Sequence, residues 1–132
     1  MRGLLGVHHV AIIASDYGRS KRFYVEILGA EIVSETYREA RRSHKLNLRL
    51  PDGVEIELFD FPEAPPRPSY PEARGLRHLA LRASDLDVAL AHLRTHGIRH
   101  EEPRTDELTL ARFVFFEDPD GLPIELVETV DS

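Results

Sequence analysis

The sequence predicts an α+β fold built from two tandem βαβββ modules, and three observations predict it. Asp52-Gly53-Val54-Glu55-Ile56-Glu57-Leu58 returns as Asp120-Gly121-Leu122-Pro123-Ile124-Glu125-Leu126, 68 positions later. His9-Val10-Ala11 returns as His78-Leu79-Ala80, and Ala14-Ser15-Asp16 as Ala83-Ser84-Asp85, both shifted by 69. The apolar periodicity on either side of a proline-rich stretch reads strand, helix, strand, strand, strand. One order of landmarks at nearly one shift marks an internal duplication, giving a paired domain and not a solenoid.

The elements of the first copy follow in order. Val7 to Ser15 is β-rich and apolar, as a buried strand requires. Ser15-Asp16 offers a helix N-cap, and a helix over about Tyr17 to Leu28 places Phe23, Tyr24, Ile27 and Leu28 on one stripe before Gly29 ends it. A second strand covers about Glu31 to Thr36. The polar run Tyr37 to Lys45 reads as a connection. Leu46, Leu48 and Leu50 alternate as in a half-buried strand, and Asp52-Gly53 turns the chain into a fourth strand over Val54 to Phe61.

Pro62, Pro65, Pro66, Pro68 and Pro71 form a stiff linker. The second copy then reads Leu76 to Ala83 as strand, a helix capped by Ser84-Asp85 and ended by Gly97, and strands over Ile98 to Glu101, Leu110 to Phe116 and Pro123 to Val127. The expected organisation is a single domain over 1–132, with module 1 at about 5–61, the linker at 62–74 and module 2 at about 75–129.

Composition narrows the chemistry. The chain has no Cys, so disulfides, thiolate metal sites and Cys nucleophiles are excluded. The net charge of −6 is uneven: nine basic and nine acidic residues through Phe61, then eight basic and fourteen acidic. That balance argues against nucleic acid as a partner. No apolar run reaches membrane-spanning length, and the first residues lack a signal peptide's apolar core, so a cytoplasmic protein without membrane association is expected. There is no GxSxG, no Walker A and no GxGxxG with a ribose-binding acid.

Each copy supplies one His in its first strand and one Glu, between apolar neighbours, in its last. His8 and His9 should point to opposite faces of a strand, and only His9 aligns with His78. The matched set is His9, Glu57, His78 and Glu125. Alone, any of them reads as an ordinary half-buried polar residue. As a repeated pair of imidazoles and carboxylates they suit one divalent transition ion: Zn, Ni, Co, Mn or Fe(II). His44, His92, His96 and His100 have no matching copies, and His92 and His96 read as surface residues.

With these residues in place, the chain resembles the vicinal oxygen chelate (VOC) superfamily of glyoxalase I, bleomycin-resistance proteins, extradiol dioxygenases and methylmalonyl-CoA epimerase. The resemblance runs from His9 to Glu128 and is similar to small bacterial glyoxalase-I-like proteins in HHVAIIASDYGRSKRFY, IELFDFP, GLRHLAL and FFEDPDGLPIEL. It implies a curved, cup-shaped mixed sheet around one metal ion, with His9, Glu57, His78 and Glu125 as ligands. It further implies catalysis by Glu125 as base, assisted by Glu57, and a homodimer whose sites form within one chain or across swapped modules. The implied activity is a metal-dependent lyase or isomerase of the glyoxalase I type, moving a proton beside a chelated carbonyl or hydroxyl of a small-molecule substrate such as a thiol adduct.

The pattern departs from the glutathione-using members at two positions. Ile13 stands where the resemblance implies an Arg, and Phe61 where it implies an Asn, both anchors of glutathione. Arg74, four residues before His78, matches a glutathione-contacting Arg of some members. Arg38, Arg41, Arg42 and Lys45 cluster near one connection. They read either as a grip on an anionic substrate or as a solvated loop partnered by Glu35 and Glu39. Arg38 and Arg112 join Arg74 as candidate substrate contacts, Arg112 because it enters an otherwise apolar strand. The competing functions are an acyl-CoA epimerase, a thiol transferase, an Fe(II) extradiol dioxygenase and a small-molecule-binding resistance protein. A 2-His-1-carboxylate triad would suit the dioxygenase better than four ligands, and a sequestering protein would lack them.

Overall fold

The computed structural model describes residues 1–61 and 63–129. Pro62, the first position of the expected linker, lies outside the described residues, as do residues 130–132. The chain divides between Pro65 and Pro66 into two compact units.

In the first unit, β1 (His9–Ala14) leads into α1 (Tyr17–Arg22), a π-helical turn (Phe23–Ile27), β2 (Glu31–Arg38), a short 3-10 turn (Glu39–Arg41), β3 (Ser43–Arg49) and β4 (Glu55–Asp60). The sheet order is β1-β4-β3-β2, with β1 parallel to β4 and the other neighbours antiparallel. The second unit repeats the plan with β5 (Leu79–Ala83), α2 (Leu86–Thr95), β6 (Arg104–Thr105), β7 (Arg112–Glu117) and β8 (Pro123–Glu128), in the order β5-β8-β7-β6. This is the predicted α+β plan of two modules, each a mixed four-stranded sheet. A parallel pair needs a crossover, and the helix that follows the first strand begins it in each unit.

The caps are those the sequence offers. The Asp16 carboxylate accepts the backbone N–H of Arg19 at 3.0 Å, and Asp85 accepts that of Val88 at 3.1 Å. Each satisfies a helix donor that has no partner within the helix. Gly97, at φ 68°, takes the left-handed conformation that ends α2, and Ile98 N–H returns to Leu93 O at 2.9 Å.

One face of each sheet is the core. In the first unit Ile12, Ala14, Leu46, Leu48, Ile56 and Leu58 are buried with Phe23 and Tyr24. In the second, Val114, Phe116, Ile124 and Leu126 are buried with Leu86, Leu90 and Leu93 of α2. Period-2 alternation sends the intervening residues to the opposite, open face.

Three local departures from the sequence reading have physical causes. The first helix does not run to Leu28 in one register: the Leu28 N–H reaches back five residues to Phe23 O, the signature of a π turn. Consecutive Phe23 and Tyr24 are both buried there, their rings edge-to-face at 5.0 Å. The polar connection is shorter than expected, because β2 extends to Arg38 and β3 begins at Ser43. The short strand expected at Ile98 to Glu101 is reduced to a bridge from His100 to Phe116, and β6 forms later, at Arg104–Thr105. Between these pairs four steps on one strand span three on β7 (104 − 100 against 116 − 113). The extra residue is a bulge beside Pro103, which has no N–H to give the ladder.

The linker of the second unit is tied by Arg67, whose guanidinium donates to Leu76 O at 2.8 Å, Arg77 O at 3.0 Å and Ser69 Oγ at 2.8 Å. Ser69 Oγ in turn donates to Gly121 O at 3.2 Å, holding the linker against the turn before β8. Among the described residues no helix is long and apolar enough to cross a membrane.

Candidate metal centre

In the first unit Glu57 lies on β4 between Ile56 and Leu58. Those two point into the core and Glu57 points to the open face, where its side chain keeps 14% of its exposure. Strand alternation sends the apolar neighbours to the core and leaves this largely covered carboxylate beside polar side chains. Its parallel partner is Ala11, and His9, two residues earlier on β1, lies on the same face. His9 Nε2 stands 3.7 Å from Glu57 Oε1. Asn47 Nδ2 donates to Glu57 Oε2 at 3.4 Å, and Lys45 Nζ is 3.9 Å from Oε1. His8 precedes β1 rather than extending it, so its side chain is not sent to the opposite face as expected. His8 and His9 meet Nδ1 to Nδ1 at 2.9 Å, rings edge-to-face.

The second unit reproduces this arrangement. Glu125 pairs with Ala80, and His78 again stands two residues before that Ala. His78 Nε2 is 3.2 Å from Glu125 Oε1, and the imidazole edge rests on Phe115 at 5.0 Å. His78 Nδ1 is buried with no hydrogen-bond partner among the described residues.

These separations bear on a metal. Donors bound about 2.0–2.2 Å from one ion, at angles between square and tetrahedral, stand roughly 3.0–3.5 Å apart. The His78–Glu125 pair falls within that range and the His9–Glu57 pair just outside it. In both units the same two atoms, Nε2 and Oε1, face each other, so each unit contributes a nitrogen and an oxygen donor of the right type. Among the described residues no three His, Asp or Glu side chains are grouped to hold an ion.

The other sequence candidates are placed differently. Arg38, at the end of β2, lies over the Phe59 ring, 5.0 Å from its centroid, and its Nε is buried without a partner among the described residues. Arg74 lies exposed in the bend before β5. Arg112 does not reach the open face of β7. It shares the core side with Val114 and Phe116, and its guanidinium forks onto Asp87 at 2.8 and 3.3 Å, with Glu128 at 3.8 Å. The Arg holds the Asp87 carboxyl below the usual range by hydrogen bonding. Arg112 thus ties α2 to its sheet, a role that its apolar neighbours do not reveal.

Glu35 does not partner the arginine cluster. It accepts from Lys21 at 2.8 and 3.0 Å and from the Tyr17 hydroxyl, and Lys21 then Tyr17 hold its carboxyl below the usual range. Burial, and then the hydrogen bond to Glu35, push the Tyr17 phenol well above its ordinary value. Tyr17 also stacks on His44 at 3.9 Å, and His44 Nδ1 lies 3.1 Å from Asp60 Oδ2. His92 and His96 are exposed, as read from the sequence.

The sequence reading missed several residues beside these pairs. A cleft of about 630 Å³ opens within the second unit next to His78, with Arg99, His100, Arg104 and Phe115 in its wall. Arg104 lies over Phe113 at 4.9 Å and Phe115 at 5.9 Å. In the first unit Phe59 and Phe61 stack with planes 8° apart and centroids 5.7 Å apart, and Arg41 lies over Phe61 at 5.2 Å. The Phe-x-Phe spacing at 59/61 and 113/115 was the available signal.

Known proteins share this fold. A family model described as the Glyoxalase/Bleomycin resistance protein/Dioxygenase superfamily matches residues 6–126. The chain is 57% identical to the Escherichia coli protein YaeR over 128 residues, covering 97% of this chain and 99% of that protein. It is 30% identical to a 2-epi-5-epi-valiolone epimerase from an Actinomyces species, over 95% of this chain and 80% of the epimerase. Among solved structures, a glyoxalase family protein from Enterococcus faecalis superposes with a TM-score of 0.86 at 47% identity, covering 93% of this chain and 97% of that one.

Proposed function

Since the chain belongs to the Glyoxalase/Bleomycin resistance protein/Dioxygenase superfamily, we propose that it is a metal-dependent lyase or isomerase that moves a proton beside a chelated carbonyl or hydroxyl group. The observation that carries this reading is the repeated pair: His9 Nε2 facing Glu57 Oε1 and His78 Nε2 facing Glu125 Oε1, each opposite an Ala in one register. His9, Glu57, His78 and Glu125 would hold one divalent ion, of the group Zn, Ni, Co, Mn and Fe(II), within one chain or between two chains of a cytoplasmic homodimer. Such an ion supplies Lewis acidity to the substrate's oxygens.

The chain's residues supply the rest. Glu125 takes the proton from the carbon next to the polarised group and returns it to the adjacent carbon, its carboxylate being held on the open face of a rigid strand. Glu57, steadied by Asn47 and Lys45, assists from its own unit. The small Ala11 and Ala80 side chains leave room over both carboxylates. An epimerase as a relative supports proton transfer in particular, and inversion at one carbon is the second reading.

Elemental analysis of the purified protein tests the first part, followed by assays with methylglyoxal and several thiols before and after chelation. One divalent ion per site, reduced in Glu125→Gln, together with chelator-sensitive turnover, is the expected outcome. Metal far below one per site and unchanged in Glu125→Gln sinks the metal reading. Metal without turnover on any thiol adduct moves the assignment to an epimerase.

A further inference from the structure

The open face of the first unit carries a group of side chains that the His–Glu pair does not use. Ile13 lies across from Phe59 in the β1–β4 ladder and keeps 50% of its exposure. Phe59 and Phe61 stack nearly parallel beside it, and Arg38 and Arg41 each lie over one of those rings. Neither Arg forms an ion pair among the described residues, and Glu35 contacts Lys21 and Tyr17 instead. Lys45 lies across from Phe59 on the same face. Two guanidiniums without carboxylates, fixed on an aromatic shelf, present hydrogen-bond donors that an organic anion satisfies. The shelf also occupies the positions where glutathione's polar anchors would stand.

We propose that this shelf binds an organic acid with a flat apolar body, the body lying on Ile13, Phe59 and Phe61 and the acidic group on Arg38 and Arg41. The inference rests on the proposed metal chemistry only for the position of the ligand's reacting end. Phe59 and Phe61 lie two and four residues beyond Glu57, so at roughly 3.3 Å per residue a fitting acid spans about 7–13 Å from reacting carbon to acidic group. Guanidiniums can hold a carboxylate of glutathione, but the ammonium group of its γ-glutamyl end finds no carboxylate among the shelf residues Ile13, Phe59, Phe61, Arg38 and Arg41.

Calorimetric titration of the metal-free protein separates this proposal from the metal reading, which is judged by metal content. The probes are 4-phenylbutyrate, phenyl phosphate, the uncharged 4-phenylbutyramide and S-hexylglutathione. At least one acid is expected to bind tenfold or more tightly than the amide, and the tighter acid identifies the preferred head group. Arg38→Gln combined with Arg41→Gln should remove that preference while the melting profile and metal content stay unchanged. Phe61→Ala should weaken acid and amide alike. Equal binding of acids and amide, an undiminished preference in the double Arg variant, tighter binding of S-hexylglutathione, or no binding of either acid would each overturn the proposal.

Discussion

Ala80 lies directly across from Glu125 in the parallel β5–β8 ladder, two residues beyond the His78 whose Nε2 faces that carboxylate. The same relationship joins Ala11 to Glu57. A larger side chain at either position would cover the carboxylate while remaining on a half-solvated strand face. Ala80→Leu is therefore expected to lower metal affinity at least tenfold, measured by competition with a chromogenic chelator. The melting temperature should change little, since no core residue is displaced. Unaltered metal affinity would show that the space over Glu125 is not used.

The caps offer a test of local stability. Asp85 is the side-chain acceptor for the Val88 N–H at the start of α2. Asp85→Ala should destabilise the protein by about 1 kcal/mol, within a usual range of roughly 0.5–2. Urea denaturation followed by circular dichroism measures this. An effect below the resolution of that measurement would mean that the helix start is held by the Leu86 N–H bond to Glu128 at 2.8 Å instead.

The core of the second unit predicts a larger effect. Leu90, on α2, is 1% exposed. Leu90→Ala removes buried methyl groups and leaves a cavity, so a loss of about 2–5 kcal/mol is expected from the same denaturation curves.

The Arg112–Asp87 fork predicts a pH dependence. Asp87 is held below its ordinary value of 3.8, chiefly by its hydrogen bond to Arg112. A depressed carboxylate stabilises the fold fully above its unfolded pKa and loses that contribution as pH falls through the folded pKa. Wild type should therefore melt above Arg112→Gln at neutral pH, and the gap should close as the pH drops below about 4. Melting curves taken from pH 7 to pH 3 check the sign, and a gap that widens in acid would contradict it.

Much of the site could be read from letters because duplication supplies its own control. His9 stood out from His8 only through its match to His78, and Glu57 from Glu55 only through Glu125. The structure turns both Glu residues away from the core, a consequence of strand alternation that the reading of their apolar neighbours had not drawn. What escaped the sequence were contacts between elements that repeat in neither copy. Arg112 sits among apolar residues, yet its partner is Asp87, 25 positions away. Glu35 looked available to the arginine cluster, but Lys21 and Tyr17 reach it from α1. The place of β6 depends on its register against β7, which pairs Arg104 with Phe113 and Thr105 with Arg112 and which no local pattern shows.

The two units also differ in an instructive way. Their donor pairs coincide under the shift of 68 to 69, but their aromatic walls do not. Phe59 and Phe61 correspond to Val127 and Thr129, whereas the second unit carries its Phe pair on β7, at Phe113 and Phe115. The His–Glu positions are thus common to both copies, and the aromatic residues around them are not. Such a scaffold can change the shape of its walls without moving its donor pairs.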